Sequence, residues 1–163
     1  EDGTRTGVAG AGSIMDFGRS GTPDAILAPG SEPAPILLVE DEILIRLANA
    51  DWLRDAGYAV IEAANAAEAL DVIATGQVLA LLATDITMPG ALDGLALAAA
   101  TRMRRPGLPV LLLSAHVPDD YSAIAEAALS KPFGPSQLVA KVAALIGAPW
   151  QTTNPVTGAH KAC

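Results

Sequence analysis

Four short polar motifs each close an apolar run. Asp85 follows Leu79-Ala80-Leu81-Leu82-Ala83-Thr84 and precedes Ile86-Thr87-Met88-Pro89-Gly90. Glu40-Asp41 follows Pro35-Ile36-Leu37-Leu38-Val39, Ser114 follows Val110-Leu111-Leu112-Leu113, and Lys131 follows Ala127-Ala128-Leu129-Ser130. If the runs are strands of an open parallel sheet, the motifs gather at their carboxyl ends, where such sheets bind ligands. A carboxylate attacks phosphorus only when something cancels its repulsion from the phosphoryl oxygens and neighbouring acids. Mg2+ does this with octahedral oxygen ligands and few protein carboxylates. Asp41 and Asp85, with the carbonyl of Thr87 and with Glu40 nearby or through water, make a suitable partial shell. Ser114 can donate a hydroxyl hydrogen bond to one phosphoryl oxygen, and Lys131 can set a compact ammonium against another.

Each residue alone has a plainer reading. An acid beside a lysine is often only a structural ion pair, and a serine at a strand end is often only a polar terminus. Glu42 reads as a solvated or capping acid of the first helix and stays outside the site. His116, a lone loop histidine, reads as exposed rather than as a phosphodonor. Trp52 and Tyr58 read as core and strand residues, and Thr84 and Thr87 as small neighbours of Asp85. The ordered set of four motifs is what favours chemistry. Two other classes stay open: a phosphorylation-independent binding module, and a haloacid-dehalogenase-like phosphatase built on Asp85-Ile86-Thr87, which lacks the second acid that Thr87 would have to be.

The chain has 163 residues, 51% of them apolar, enough for one domain with a core. A net charge of −8 with ten scattered basic residues argues against an electrostatic grip on nucleic acid or an anionic membrane. No stretch approaches the roughly 20 apolar residues of a membrane helix, and no basic segment followed by an apolar one opens the chain. A cytoplasmic location is expected. The single cysteine is the last residue, Cys163, so no intrachain disulfide can form.

Residues 1 to 34, rich in Gly, Ala, Ser and Pro, are expected to be a flexible extension. Met15 is the first candidate start, so residues 1 to 14 are expected to be of artificial or upstream origin. Residues 148 to 163 read as a flexible tail. Between them, over residues 35 to 147, short apolar runs alternate with segments of helical period, which implies βαβ units and a parallel sheet. Strands are expected at Ile36–Val39, Tyr58–Glu62, Leu79–Thr84, Leu108–Ser114 and Ala127–Ser130. The first helix should bury Ile45, Ala48, Trp52, Leu53 and Ala56 before Gly57. The second, capped by Asn65 with Glu68 three residues on, should bury Ala66, Ala69, Leu70 and Ile73. An Ala-rich third helix must stop at Arg105-Pro106-Gly107. About a dozen residues separate Ser114 from the fifth strand, so the fourth helix should be short or irregular. The last helix should start near Pro135 and bury Leu138, Val142 and Leu145.

Leu38-Val39-Glu40-Asp41-Glu42, Thr84-Asp85-Ile86-Thr87-Met88-Pro89-Gly90, Ser114 and Lys131-Pro132-Phe133 together resemble the receiver domain of two-component response regulators over residues 35 to 147. The resemblance implies an α/β, doubly wound (βα)5 flavodoxin-like fold with a five-stranded parallel sheet of order 2-1-3-4-5. It also implies Asp85 as phosphoacceptor and a ligand of Mg2+, Asp41 as direct Mg2+ ligand, Glu40 as the outer acid, Ser114 as hydroxyl switch and Lys131 as phosphate-sensing cation. A sensor histidine kinase would be the phosphodonor and a downstream protein the target, unless the domain is a phosphate sink. Such a domain catalyses its own phosphorylation and dephosphorylation but turns over no separate substrate. Three departures stand out. Glu40 replaces the more usual aspartate. Ala128 stands where many receivers carry the Tyr or Phe that rotates inward, so the usual aromatic switch cannot operate. The loop Pro89-Gly90-Ala91-Leu92-Asp93-Gly94 is one residue longer. With the reduced fourth helix, these features are similar to a subgroup of single-domain, CheY-like regulators.

Overall fold

A computed structural model describes residues 33–149. The expected extension, but for residues 33 and 34, and the tail from residue 150 onward lie outside the described residues. The elements run β1 (Ile36–Val39), α1 (Ile43–Asp55), β2 (Val60–Ala63), α2 (Ala66–Ala74), β3 (Leu81–Asp85), α3 (Gly94–Arg104), β4 (Val110–Ser114), β5 (Ala127–Ser130) and α4 (Pro135–Ile146). All strand pairings are parallel, and the order β2-β1-β3-β4-β5 agrees with the one expected.

The three central strands are apolar without alternation because helices cover both faces of the sheet. Successive residues go to opposite sides. Leu37, Val39, Leu82, Val110 and Leu112 join Ala66, Ala69, Ile73, Leu97 and Ala98 of α2 and α3 in one core. Ile36, Leu38, Leu81, Ala83, Leu111 and Leu113 join Ala50, Leu53, Leu138 and Val142 of α1 and α4 in the other. Each fully buried leucine contributes about 1.5–3 kcal/mol through burial, so the two cores hold the strand ends in fixed register beneath the polar motifs.

Local chemistry sets the helix starts. Asn65 caps α2 by accepting from the Glu68 N–H at 2.9 Å, and Glu68 accepts from the Ala64 N–H at 2.7 Å. Asp93 caps α3 by accepting from Ala96 N–H at 2.8 Å. Pro135 opens α4, with Gln137 accepting from the Gly134 N–H at 2.9 Å.

Several boundaries differ from the sequence reading. Tyr58 is not in β2; it is a buried core residue whose hydroxyl donates to the Gly147 carbonyl at 2.8 Å. Leu79 and Leu108 likewise precede their strands, which begin at Leu81 and Val110. The face of α1 that is fully buried is Asn49, Ala50 and Leu53, whereas Ile45, Ala48 and Trp52 are only half-buried. A polar residue in the buried stripe shifted the apparent phase of the helix. Leu70 and Leu145 are half-buried rather than buried.

The fourth crossover is the irregular case expected. Residues 115–126 form turns, with the Tyr121 carbonyl accepting from Ile124 at 2.9 Å and from Ala125 at 3.0 Å. Tyr121 and Ile124 pack onto the core in place of a helix. Glu126 pins the segment to the sheet, accepting from Val110 N–H at 2.6 Å and from Arg102 at 2.6 Å. Among the described residues no helix is long and apolar enough to cross a membrane.

Candidate functional site

Parallel pairing brings the ends of β1, β3, β4 and β5 to one edge. Asp85 is the last residue of β3, paired with Leu113, rather than the first residue of the following loop. Ser114 closes β4 opposite Ser130, and the Lys131 N–H donates to the Ser114 carbonyl at 2.8 Å. That bond carries the lysine off the end of β5 toward β3. The Lys131–Pro132 peptide is cis.

Lys131 Nζ lies 3.1 Å from Asp85 Oδ2 and 2.7 Å from Glu40 Oε2. The other oxygen of Asp85 accepts from the Thr87 N–H at 3.3 Å. Glu40 and Asp85 are buried, at 1% and 7% exposure, while Asp41 is exposed. Burial lifts the Glu40 carboxyl above its ordinary value of 4.5; the charges of Asp85 and Asp41 add to this, against the pull of Lys131. Burial also works against the Lys131 ammonium, but its contacts with Glu40 and then Asp85 outweigh it, and its pKa is raised above 10.5.

One carboxylate oxygen from each of Glu40, Asp41 and Asp85 lies within 4.8 Å of the others. An octahedral ion with ligands at about 2.1 Å sets adjacent oxygens about 3.0 Å apart and only opposite ones about 4.2 Å apart, so the acids would have to draw together, or one reach the ion through water, to hold a divalent cation. The all-oxygen donor set suits a hard ion. Ser114, 1% exposed, does not face the acids through any hydrogen bond. Its Oγ donates to the His116 carbonyl and accepts from the His116 N–H, each at 3.1 Å. Thr87 is exposed and Thr84 is buried, with its hydroxyl donating to the Asp85 carbonyl at 2.8 Å. Glu42 is exposed at the start of α1 and makes no side-chain cap bond.

Two supporting residues were missed in the sequence. Arg46 donates from Nη1 to the Glu40 carbonyl at 2.7 Å, and its Nε lies 3.6 Å from Glu62. It thereby fastens the loop that carries both acids. An arginine one helical turn after an acidic loop was the available signal. Gly94 sits against the backbone of Asp85, where any Cβ would overlap the carbonyl. The Asp93-Gly94 pair at the start of a helix was its signal.

A family model described as the response regulator receiver domain matches residues 36–143. The chain is 40% identical over 83 residues to the response regulator protein FleR of Pseudomonas aeruginosa, a match that covers 51% of this chain and 17% of that protein. It is 32% identical over 118 residues to the sensor kinase CckA of Brucella abortus, covering 69% of this chain and 12% of that one. The chain thus spans less than a fifth of these curated relatives. Among solved structures, the response regulator protein TrrA of Thermotoga maritima in complex with Mg2+-BeF is similar, with 33% identity and a TM-score of 0.64. That match covers 69% of this chain and 99% of that one.

Proposed function

The chain belongs to the receiver-domain family of response regulators, and on that premise we propose that Asp85 accepts a phosphoryl group from a phosphohistidine of a sensor kinase. The observation that carries this reading is the placement of Lys131 against Asp85 and Glu40 within a cluster of three acids. Asp85 Oδ attacks phosphorus, the P–O bond forms as the P–N bond breaks, and the electron pair leaves on the imidazole nitrogen, which takes up a proton. Lys131 holds one phosphoryl oxygen. Ser114 gives up its bond to the His116 carbonyl and donates to another. Glu40, Asp41, Asp85 and the Thr87 carbonyl are the groups that would hold Mg2+, which when bound supplies positive charge against the phosphoryl oxygens. Water later attacks phosphorus, the P–O bond to Asp85 breaks, and the carboxylate and inorganic phosphate are restored.

The phosphohistidine protein would seat on apolar α1. Ile43, Leu44 and Leu47 are exposed directly after the acidic loop, and the groove formed by Leu44, Ile45, Ala48 and Trp52 with Pro132 and Phe133 runs into Lys131. Leu44→Glu should slow transfer from a phosphohistidine protein and leave phosphorylation by phosphoramidate unchanged; equal effects on both would remove this surface from the reading.

The domain is read as a cytoplasmic receiver that signals by protein contact or drains phosphate from a kinase. A second reading, a phosphorylation-independent binding module, draws on Ala128 and on the turns at residues 115–126, where an aromatic switch and a helix would otherwise stand. Phosphoramidate, Mg2+ and intact-mass measurement test the first reading. Wild type should gain one phosphoryl group and Asp85→Asn none. No gain, or an equal gain in both, would contradict it.

A further inference from the structure

Asn49 is the anomaly of α1. Buried polar groups are nearly always hydrogen-bonded, yet Asn49 is 2% exposed and its Nδ2 has no partner among the described residues. Its surroundings point to what is missing. Ile45, Asn49 and Trp52, spaced i, i+4 and i+7 on the helix, line a cleft of about 350 Å3 together with Lys131, Pro132 and Phe133 from the turn after β5. Apart from Asn49 and Lys131, the lining residues are apolar or aromatic. That size and lining are those of a small-molecule site, where a few polar groups fix a ligand within an apolar pocket.

The neighbouring charges narrow the class of ligand. The Lys131 ammonium is already held by Glu40 at 2.7 Å and Asp85 at 3.1 Å. An anion in the cleft would meet those two acids with no cation left to receive it, so the ligand is neutral. Asn49 brings an N–H donor without a partner, so the ligand brings an acceptor. A protein surface laid across α1 meets Leu44 and Leu47, which are 72% and 44% exposed, whereas Asn49 lies beneath them. A molecule that enters the cleft reaches the amide, with a turn about the Cβ–Cγ bond to aim Nδ2 at it.

We propose that the cleft between α1 and the turn after β5 binds a neutral small molecule with an apolar body and a carbonyl-type acceptor, and that Asn49 Nδ2 donates to that acceptor. The site adjoins the surface proposed for the phosphohistidine protein but does not depend on it or on the acceptor role of Asp85.

The test uses two probes on the full chain: acetophenone, which carries the acceptor, and benzene, which lacks it. Binding is followed by nuclear magnetic resonance, including the side-chain amide signal of Asn49. Wild type should bind acetophenone with roughly millimolar affinity and shift that signal, while benzene binds more weakly and leaves it in place. Asn49→Ala widens the cleft but removes the donor. It should lose roughly three- to tenfold in affinity for acetophenone, the effect of one hydrogen bond, and bind benzene as well as wild type or better. Equal or tighter binding of acetophenone by Asn49→Ala would overturn the proposal, as would a wild type that binds neither probe. Should Asn49→Ala fail to fold, the wild-type amide signal decides: a shift with acetophenone alone supports the site, and equal shifts or none overturn it. No phosphoryl donor enters these measurements, so their failure leaves the role of Asp85 to its own assay.

Discussion

Gly94 lies so close to Asp85 that any β-carbon on it would overlap the carbonyl oxygen of the proposed phosphoacceptor. Its N–H also donates to the Ile86 carbonyl at 2.9 Å, so the first residue of α3 is fitted to the turn leaving β3. The start of α3 and Asp85 share a backbone contact with no space for a methyl group.

Gly94→Ala should therefore act on site and stability together. Either α3 retreats or the end of β3 shifts, at a cost of about 1–3 kcal/mol for overpacking. Urea unfolding should show that loss, and phosphorylation by phosphoramidate should slow at least several-fold, because the site depends on positioning at the ångström scale. Wild-type rate with wild-type stability would show that the contact relaxes without moving Asp85.

Arg46 offers a separate test of how the acids are held. Its guanidinium joins the Glu40 carbonyl to Glu62 across the ends of β1 and β2. Arg46→Met should weaken Mg2+ binding several-fold and cost about 1.5–3 kcal/mol, the range for a hydrogen bond from a charged group. Arg46→Lys, which keeps the charge but not the fork, should recover only part of the Mg2+ affinity. Unchanged Mg2+ affinity in Arg46→Met would make the arginine a purely structural brace.

Glu126 predicts a pH dependence far from the acids. Burial works to raise its pKa, but the Val110 N–H and Arg102 prevail and hold it below its ordinary 4.5. A carboxyl with a depressed folded-state pKa adds stability that is present above 4.5 and is lost as pH falls through the folded value. The wild type should thus lose stability on acidification below about 4.5 more steeply than Glu126→Gln. Parallel slopes in urea unfolding over that range would mean that the pair contributes nothing to acid sensitivity.

The parallel sheet and the convergence of Glu40, Asp41, Asp85 and Lys131 were legible in the sequence because they follow from long-range pattern, whereas the strand order came only with the resemblance to receiver domains. Unbroken apolar runs mark central parallel strands, and a polar residue after each run marks the common edge. What escaped is local. Asn49 is buried in α1 with no hydrogen-bond partner for Nδ2 among the described residues, and no periodicity rule assigns an asparagine to a core face. Tyr58 carries strand propensity but is spent on a hydroxyl bond to Gly147, just past the end of α4. Ser114 was placed correctly at the end of β4, yet its bonds to His116 depend on the turn that replaces a helix, which composition alone does not draw. Arg46 works through a backbone carbonyl, a contact that leaves no mark on residue type.

The most direct test of the central claim is to locate the phosphoryl group chemically. After treatment with phosphoramidate and Mg2+, borohydride reduces an acyl phosphate to an alcohol, so that an aspartyl phosphate becomes homoserine and releases phosphate. Peptide mapping should find this conversion at Asp85, only after donor treatment and only with Mg2+ present. Conversion at Asp41 instead, or none at any position in a folded wild-type protein, would contradict the account.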